Sequence, residues 1–126
     1  MTATEVVNKF YELNNEVASN NATAESFRPL LSDDFVFKGP AMQLQGADNY
    51  VNLLKQFLMF HKSLEIIKQF SSGNEVCTIT KLTLNSPAGK TIVMDIAEWC
   101  IIDSGKIKTH TIFYDPREFM EAFPMP

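Results

Sequence analysis

The sequence has few of the residues that would indicate a cross-linked, metal-binding or nucleic-acid-binding protein. It contains two cysteines, Cys77 and Cys100, with no Cys-x-x-Cys or Cys/His spacing, so we expect free thiols and no metal site. Its lysines and arginines form no cluster and the net charge is −4, which argues against a nucleic-acid partner. No apolar run approaches the roughly 20 residues that span a bilayer, and the N-terminus lacks the layout of a signal peptide. We therefore expect a cytoplasmic protein with no membrane partner.

What the sequence does have is apolar bulk. Of its 126 residues, 45% are hydrophobic, and ten of the aromatic residues are phenylalanines. Phenylalanine brings volume to a core without a polar group that needs a partner. This length predicts one domain over 1–126, and the excess of phenylalanine suits a domain that lines a cavity as well as filling a core.

Hydrophobic spacing and turn residues divide the chain into helices first and strands later. The predicted helices cover 2–18, 23–31 and 47–60, and the predicted strands cover 35–37, 64–70, 76–84, 91–102 and 107–114. A capping box at Thr2 and Glu5 starts the first helix, and Asp115 followed by Pro116 starts a last one after the final strand. This order predicts an α+β fold with helices packed on one face of an antiparallel sheet.

Several local motifs carry a resemblance that covers the whole chain. They are Ser32-Asp33-Asp34-Phe35 before the first strand, Gly46 before the third helix, and Gly105-Lys106-Ile107 at the last strand. The layout resembles the SnoaL-like, ketosteroid isomerase-related branch of the nuclear transport factor 2-like superfamily. The resemblance implies a curved antiparallel sheet with the N-terminal helices on its concave face, a cone-shaped, cystatin-like α+β barrel around one pocket. It does not imply one activity, because this scaffold carries many chemistries.

Known catalytic positions of that superfamily fall on side chains that cannot perform the chemistry. The tyrosine, the base and the second acid of ketosteroid isomerases fall on Phe10, Gly39 and Ala97. The Asp/Arg/Asp triad of limonene epoxide hydrolases falls near Thr80, Leu82 and Ile112. We therefore expect neither mechanism in its known form.

The resemblance also implies which face of the last hairpin meets the pocket. It puts Asp95, Ala97, Trp99 and Ile101 on the pocket face, beside His110, Ile112 and Tyr114. A two-residue turn at Ser104-Gly105 would set Trp99 opposite His110 and Asp95 opposite Tyr114. Alternation would send the remaining side chains to the outer face, where we expect a homodimer contact: Ile96, Glu98, Cys100, Thr109 and Thr111.

Candidate site residues follow from that placement. His110 is the catalytic candidate, because imidazole can exchange a proton near neutral pH, and Asp95 with Tyr114 is a second candidate pair. Each also has a structural interpretation, as a wall residue or a carboxylate at the rim of the sheet. The candidate ligand-binding residues, all of which could equally be core, are Phe10, Asn14, Phe35, Phe37, Leu54, Phe57, Ala97, Trp99 and Ile112. His61 follows a helix, and we expect its role to be structural.

Three hypotheses about function remain open. The first is a small-molecule-binding protein of unassigned chemistry that takes a small hydrophobic organic ligand and needs no cofactor. The second is an isomerase, cyclase or dehydratase that acts on a small hydrophobic substrate through His110. The third is a protein-interaction module that works through the outer face of the sheet.

Overall fold

The computed structural model describes residues 1–123, and the last three residues of the predicted domain lie outside the described part. Its elements are α1 (Ala3–Ala18), a 3₁₀ helix (Ala24–Leu30), β1 (Leu31–Lys38), β2 (Gln43–Gln45), α2 (Ala47–Phe57), a second 3₁₀ helix (Leu58–Phe60), β3 (His61–Ser72), β4 (Glu75–Asn85), β5 (Thr91–Asp103), β6 (Lys106–Phe113) and α3 (Arg117–Ala122). None of the described helices is long and apolar enough to cross a membrane.

The helix boundaries follow from local chemistry. The Thr2 hydroxyl accepts the Glu5 backbone N–H at 3.1 Å, and the Glu5 carboxylate accepts the Thr2 backbone N–H at 2.9 Å, so the predicted capping box is confirmed. The second predicted helix is 3₁₀ rather than α, and it contains Pro29, which has no N–H to donate. The helix α3 begins at Arg117 with Pro116 as its N-cap, one residue later than predicted, although the Asp115 carboxylate does accept the Arg117 backbone N–H at 3.1 Å.

The sheet is mixed, which corrects the expectation of a purely antiparallel one. Its six strands lie in the order β2-β1-β6-β5-β4-β3, and β1 runs parallel to β6 while every other pair is antiparallel. The meander from β3 to β6 returns the chain beside β1 in the same direction. The class is α+β, with the N-terminal helices packed on a curved sheet in the cone-shaped arrangement that was predicted.

An extra residue in β6 changes the register of the last hairpin. The turn is the predicted Ser104-Gly105, with φ of 53° and 76°, and Asp103 lies opposite Lys106. Ile102 then pairs with Ile107, but Ile101 pairs with Thr109. Lys108 is therefore a β-bulge, and every later pairing is displaced by one residue. His110 lies opposite Cys100, not opposite Trp99 as predicted.

Candidate functional site

A cavity of about 170 Å³ lies between the sheet and the helices. Side chains from α1, α2, α3 and five of the strands contribute to its wall, which is mainly apolar. The aromatic side chains of the wall are Phe10, Phe37, Tyr50, Phe57, Phe60, Tyr114, Phe119 and Phe123. Ile96 of β5 and Ile112 of β6 continue the apolar wall across the sheet.

The predicted ligand-binding residues divide into two groups. Those placed at the cavity wall are Phe10, Asn14, Phe37, Leu54, Phe57 and Ile112. Phe35 is fully buried outside the wall, where its ring packs 4.9 Å from that of Tyr50. Ala97 and Trp99 lie away from the cavity on β5. That any of these residues binds a ligand remains a prediction.

The predicted orientation of β5 is wrong, because the apolar even-numbered side chains of this strand face the core. The β6 bulge then brings His110 onto the same inner face, opposite Cys100. Trp99 is 39% exposed on the outer face of the sheet, where its indole N–H donates to Glu75 at 3.0 Å. Asp95 is exposed beside Lys81, and Ala97 and Ile101 share that outer face. A shift of one residue turns each side chain to the opposite face of a strand. Ile96, Glu98 and Cys100, which were expected on the outer face, are therefore buried, together with the other even-numbered residues Ile92, Met94 and Ile102.

The observed orientation of β5 separates Asp95 from the other two candidate catalytic residues, His110 and Tyr114. His110 is 2% exposed and lines the cavity, as Tyr114 does from the end of β6. Asp95 points to the other side of the sheet, so the predicted pair of Asp95 with Tyr114 does not form. Burial raises the pKa of Tyr114, which keeps its hydroxyl protonated and able to donate.

A buried carboxylate–imidazole pair takes the place of the predicted pair. The His110 Nε2 atom lies 2.7 Å from the Glu98 Oε1 atom, and the Thr80 hydroxyl donates to Glu98 Oε2 at 2.7 Å. The rings of Phe10 and Phe37 meet the imidazole edge-on at 5.2 and 5.5 Å between centroids. The pair is shielded from solvent and held in one orientation by its neighbours.

The hydrogen bonds of the pair determine what His110 can do. A carboxylate that accepts at both oxygens requires the imidazole to carry its hydrogen on Nε2. The Nδ1 atom has no hydrogen-bond partner among the described residues. In the neutral imidazole this buried atom holds the lone pair, so it is the atom of His110 that can accept a hydrogen bond or a proton.

Other polar groups at the wall are sparse. His61 lies at the start of β3, its Nε2 atom has no partner within the described part of the chain, and burial lowers its pKa to about 4. Its imidazole is therefore neutral at physiological pH. The Asn14 amide is tied to its own helix, since it donates to the Phe10 carbonyl at 3.1 Å. Across residues 1–123, no group of three His, Cys, Asp or Glu side chains could hold a metal ion.

Glu98 was not among the predicted site residues and His61 was assigned a structural role, although the sequence carries a signal for the burial of Glu98. Along β5, the even positions read Ile, Met, Ile, Glu, Cys, Ile, while the odd positions include Thr, Asp and Trp. Simple alternation assigns the even face to the interior, with Glu98 as its polar member. The family's pocket positions, placed on the odd-numbered residues of β5, gave the opposite and incorrect orientation. His61 had no comparable signal, because its burial depends on how β3 leaves α2.

Comparison with known proteins assigns the fold family. The model of the SnoaL-like domain family matches residues 7–110. The chain belongs to this family. No curated protein matches the sequence of this SnoaL-like domain.

Solved structures share the fold of the SnoaL-like domain. An NTF2-like protein of unknown function from Cytophaga hutchinsonii is 24% identical, with a TM-score of 0.76 over 95% of this chain and 96% of the other. An NTF2-like protein of unknown function from Burkholderia pseudomallei is 11% identical, with a TM-score of 0.80 over 99% of each chain. An LEH-like epoxide hydrolase from M. tuberculosis is 16% identical, with a TM-score of 0.74 over 95% and 87%. At these identities the likeness concerns the fold alone.

Proposed function

We propose that this SnoaL-like domain binds a small, largely apolar organic molecule between its sheet and its helices. The observation that carries the proposal is a cavity of about 170 Å³ with a mainly aromatic and aliphatic wall and one buried carboxylate–imidazole pair. Protein interiors ordinarily pack with few voids larger than a water molecule. An apolar cavity with a few convergent polar groups is the usual form of a small-molecule site.

The cavity volume supports a ligand of about one substituted ring. An engineered apolar cavity of about 150 Å³ in another protein stays dry and binds benzene. A cavity of about 170 Å³ is slightly larger, which favours compounds between toluene and indole in size. A polycyclic ligand would require side chains of α2 or α3 to move.

Thermal stabilisation tests the binding proposal. A ligand present at about 100 times its Kd stabilises the folded state by about 2.7 kcal/mol, which raises the Tm. Leu54→Trp puts an indole into the wall, so we expect it to abolish this rise while the protein stays folded. Val93→Trp, on the outer face at 53% exposure, should retain the rise. No rise with any compound from toluene to indole, or an unchanged rise in Leu54→Trp, would contradict the proposal.

A second candidate function, an isomerase, cyclase or dehydratase acting on a small hydrophobic substrate, is favoured by the Glu98–His110 contact. Glu98 would hold the imidazole in one tautomer, and His110 would take a proton from the bound substrate through Nδ1. Tyr114 would supply a hydroxyl donor to the developing oxyanion. Asp95 has no part in this mechanism.

Proton exchange tests the enzymatic candidate without knowledge of the substrate. In D₂O, a general base in the cavity should catalyse deuterium exchange at the α-carbon of cyclohexanone, a ketone of suitable size. We expect His110→Gln to lower the exchange rate by at least about a hundredfold, the lower end of a typical general-base contribution. Asp95→Asn should leave the rate unchanged. Exchange no faster than in buffer would remove the enzymatic candidate and leave the binding proposal intact.

We also propose a homodimer through the outer face of the sheet. Apolar side chains there lie on adjacent strands, since Phe70 and Trp99 both pair with Cys77, and Ala97 pairs with Phe113. Phe70 is 50% exposed and Phe113 is 56% exposed, and large contiguous apolar patches mark interaction sites.

Solution mass tests the dimer, and the emission of Trp99 offers a second readout because the chain has one tryptophan. We expect a dimer whose mass falls to that of the monomer in Phe113→Lys, with a red shift of Trp99 emission. A monomer at all concentrations would contradict the dimer. The outer face would then be left to a different protein, as in the third hypothesis.

We further propose a cytoplasmic location, because Cys77 and Cys100 are free thiols, the usual state in that compartment.

A further inference from the structure

The described part of the cavity wall has an acidic side chain but no lysine or arginine to balance it. Glu98 is the sole carboxylate among the described lining residues, and no lysine or arginine joins it there. Its two oxygens already accept from His110 and Thr80. With a neutral imidazole the pair carries one negative charge, and with an imidazolium it carries none. In neither state does it present a net positive charge to a ligand.

The second imidazole does not change this balance. His61 is 8% exposed and no acidic side chain forms an ion pair with it in the part of the chain that the structure describes. Its pKa of about 4 keeps it neutral above pH 5 or so. With both imidazoles neutral, a ligand carboxylate would therefore lose its hydration without gaining a cationic partner, and burying an unpaired charge is strongly unfavourable.

The unpartnered Nδ1 atom of His110 identifies the polar group that the ligand should carry. This nitrogen accepts a hydrogen bond in the neutral imidazole and donates one in the imidazolium. A hydroxyl group can donate or accept, so it satisfies Nδ1 in both states. A hydrocarbon ring leaves the atom unpartnered, and a carboxylate adds the charge that the wall cannot balance.

Resting on the proposed function, we infer that the cavity selects uncharged, hydroxyl-bearing ring compounds of the phenol and cyclic alcohol class and rejects carboxylates of the same size. Glu98 is the specificity-determining residue, because its carboxylate stands in a wall where no described lysine or arginine could pair with a ligand anion. His110 is the residue that recognises the hydroxyl.

Three probes of matched size test the inference. They are p-cresol, toluene and benzoate, titrated into the full chain and followed by backbone amide chemical shifts at about pH 8, where benzoate is ionised. We expect p-cresol to bind roughly three to ten times more tightly than toluene, the gain of one satisfied buried acceptor. We expect benzoate to bind at least about a hundredfold more weakly than p-cresol, because its charge is buried unpaired.

Two variants assign the selectivity. Glu98→Gln keeps the shape of the side chain and removes its charge, so the penalty on benzoate relative to toluene should shrink by about tenfold or more. Glu75→Gln, a glutamate on the outer face, should leave all three affinities unchanged. If Glu98→Gln does not fold, the three probes in the unmodified protein still decide whether the cavity prefers the hydroxyl compound and rejects the carboxylate.

The possible outcomes separate this inference from the binding proposal. Benzoate binding as tightly as p-cresol would overturn the charge selectivity while leaving the proposed function standing. Toluene binding as tightly as p-cresol would overturn the role of the hydroxyl group. Failure of both toluene and p-cresol to bind would overturn the proposed function, and the inference would fall with it.

Discussion

Removing the Glu98 carboxylate should destabilise the protein far more than removing a glutamate from the other face of the same sheet. Glu98 is 5% exposed and accepts hydrogen bonds from Thr80 and His110, each at 2.7 Å. Glu98→Ala leaves the Thr80 hydroxyl and the His110 ring N–H without their acceptor. Both donors remain buried away from bulk solvent.

The expected magnitude follows from these two contacts. Each buried donor left unpaired costs about 1–3 kcal/mol, so the pair costs about 4 kcal/mol of unfolding free energy. Breaking a buried charged pair gives a similar figure of about 3–5 kcal/mol. Glu75→Ala removes an exposed contact with Trp99, and its cost should stay below about 1 kcal/mol.

Urea denaturation of the three proteins measures the difference directly. The midpoint should fall strongly in Glu98→Ala and little in Glu75→Ala, with the m-value unchanged in both because the folded structure is retained. Glu98→Gln should lie between them, since it keeps the shape and one hydrogen bond. Equal costs within about 1 kcal/mol would refute the burial of Glu98 and with it the register of β5.

Three further predictions concern pH, register and capping. The pKa of His61 is lowered from 6.5 to about 4. Between these two pH values the unfolded chain therefore binds a proton at His61, whereas the folded protein does not. Stability should therefore fall by about 3 kcal/mol as the pH drops from 6.5 to 4, and His61→Phe should flatten that part of the pH profile measured by urea denaturation. Ile92→Asp should prevent folding while Val93→Asp is tolerated, as judged by near-ultraviolet circular dichroism, because the first is fully buried and the second is 53% exposed. Thr2→Ala should cost about 1 kcal/mol in the same denaturation assay by removing the cap of α1, whereas a cost near zero would mean that the first turn is frayed.

Much of the fold was predictable because its signals are local. The capping box at Thr2 and Glu5, the turn at Ser104-Gly105 and the alternation along β4 and β5 each follow from neighbouring residues. The short strand β2 was not predicted, since three residues carry too weak a pattern. The parallel pairing of β1 with β6 was also missed, because it joins segments about 70 residues apart and has no local signature.

The candidate site was less predictable because it depends on a single extra residue. Lys108 lies in an ordinary strand sequence, and none of the residues next to it in the chain indicates a bulge. Because of the bulge, His110 pairs across the hairpin with Cys100 instead of Trp99. The apolar alternation of β5 was the more reliable guide to its inner face, but without the bulge it would have left His110 on the outer face with Trp99 and apart from Glu98.

Intermolecular NOEs from bound p-cresol are the most direct measurement of whether the cavity is a ligand site walled by the even-numbered face of β5. The ring protons should show contacts with the side chains of Ile96 and Ile112 and with the imidazole of His110, and none with the indole of Trp99. Contacts with Trp99 in place of His110 would contradict both the site and the strand orientation on which it depends.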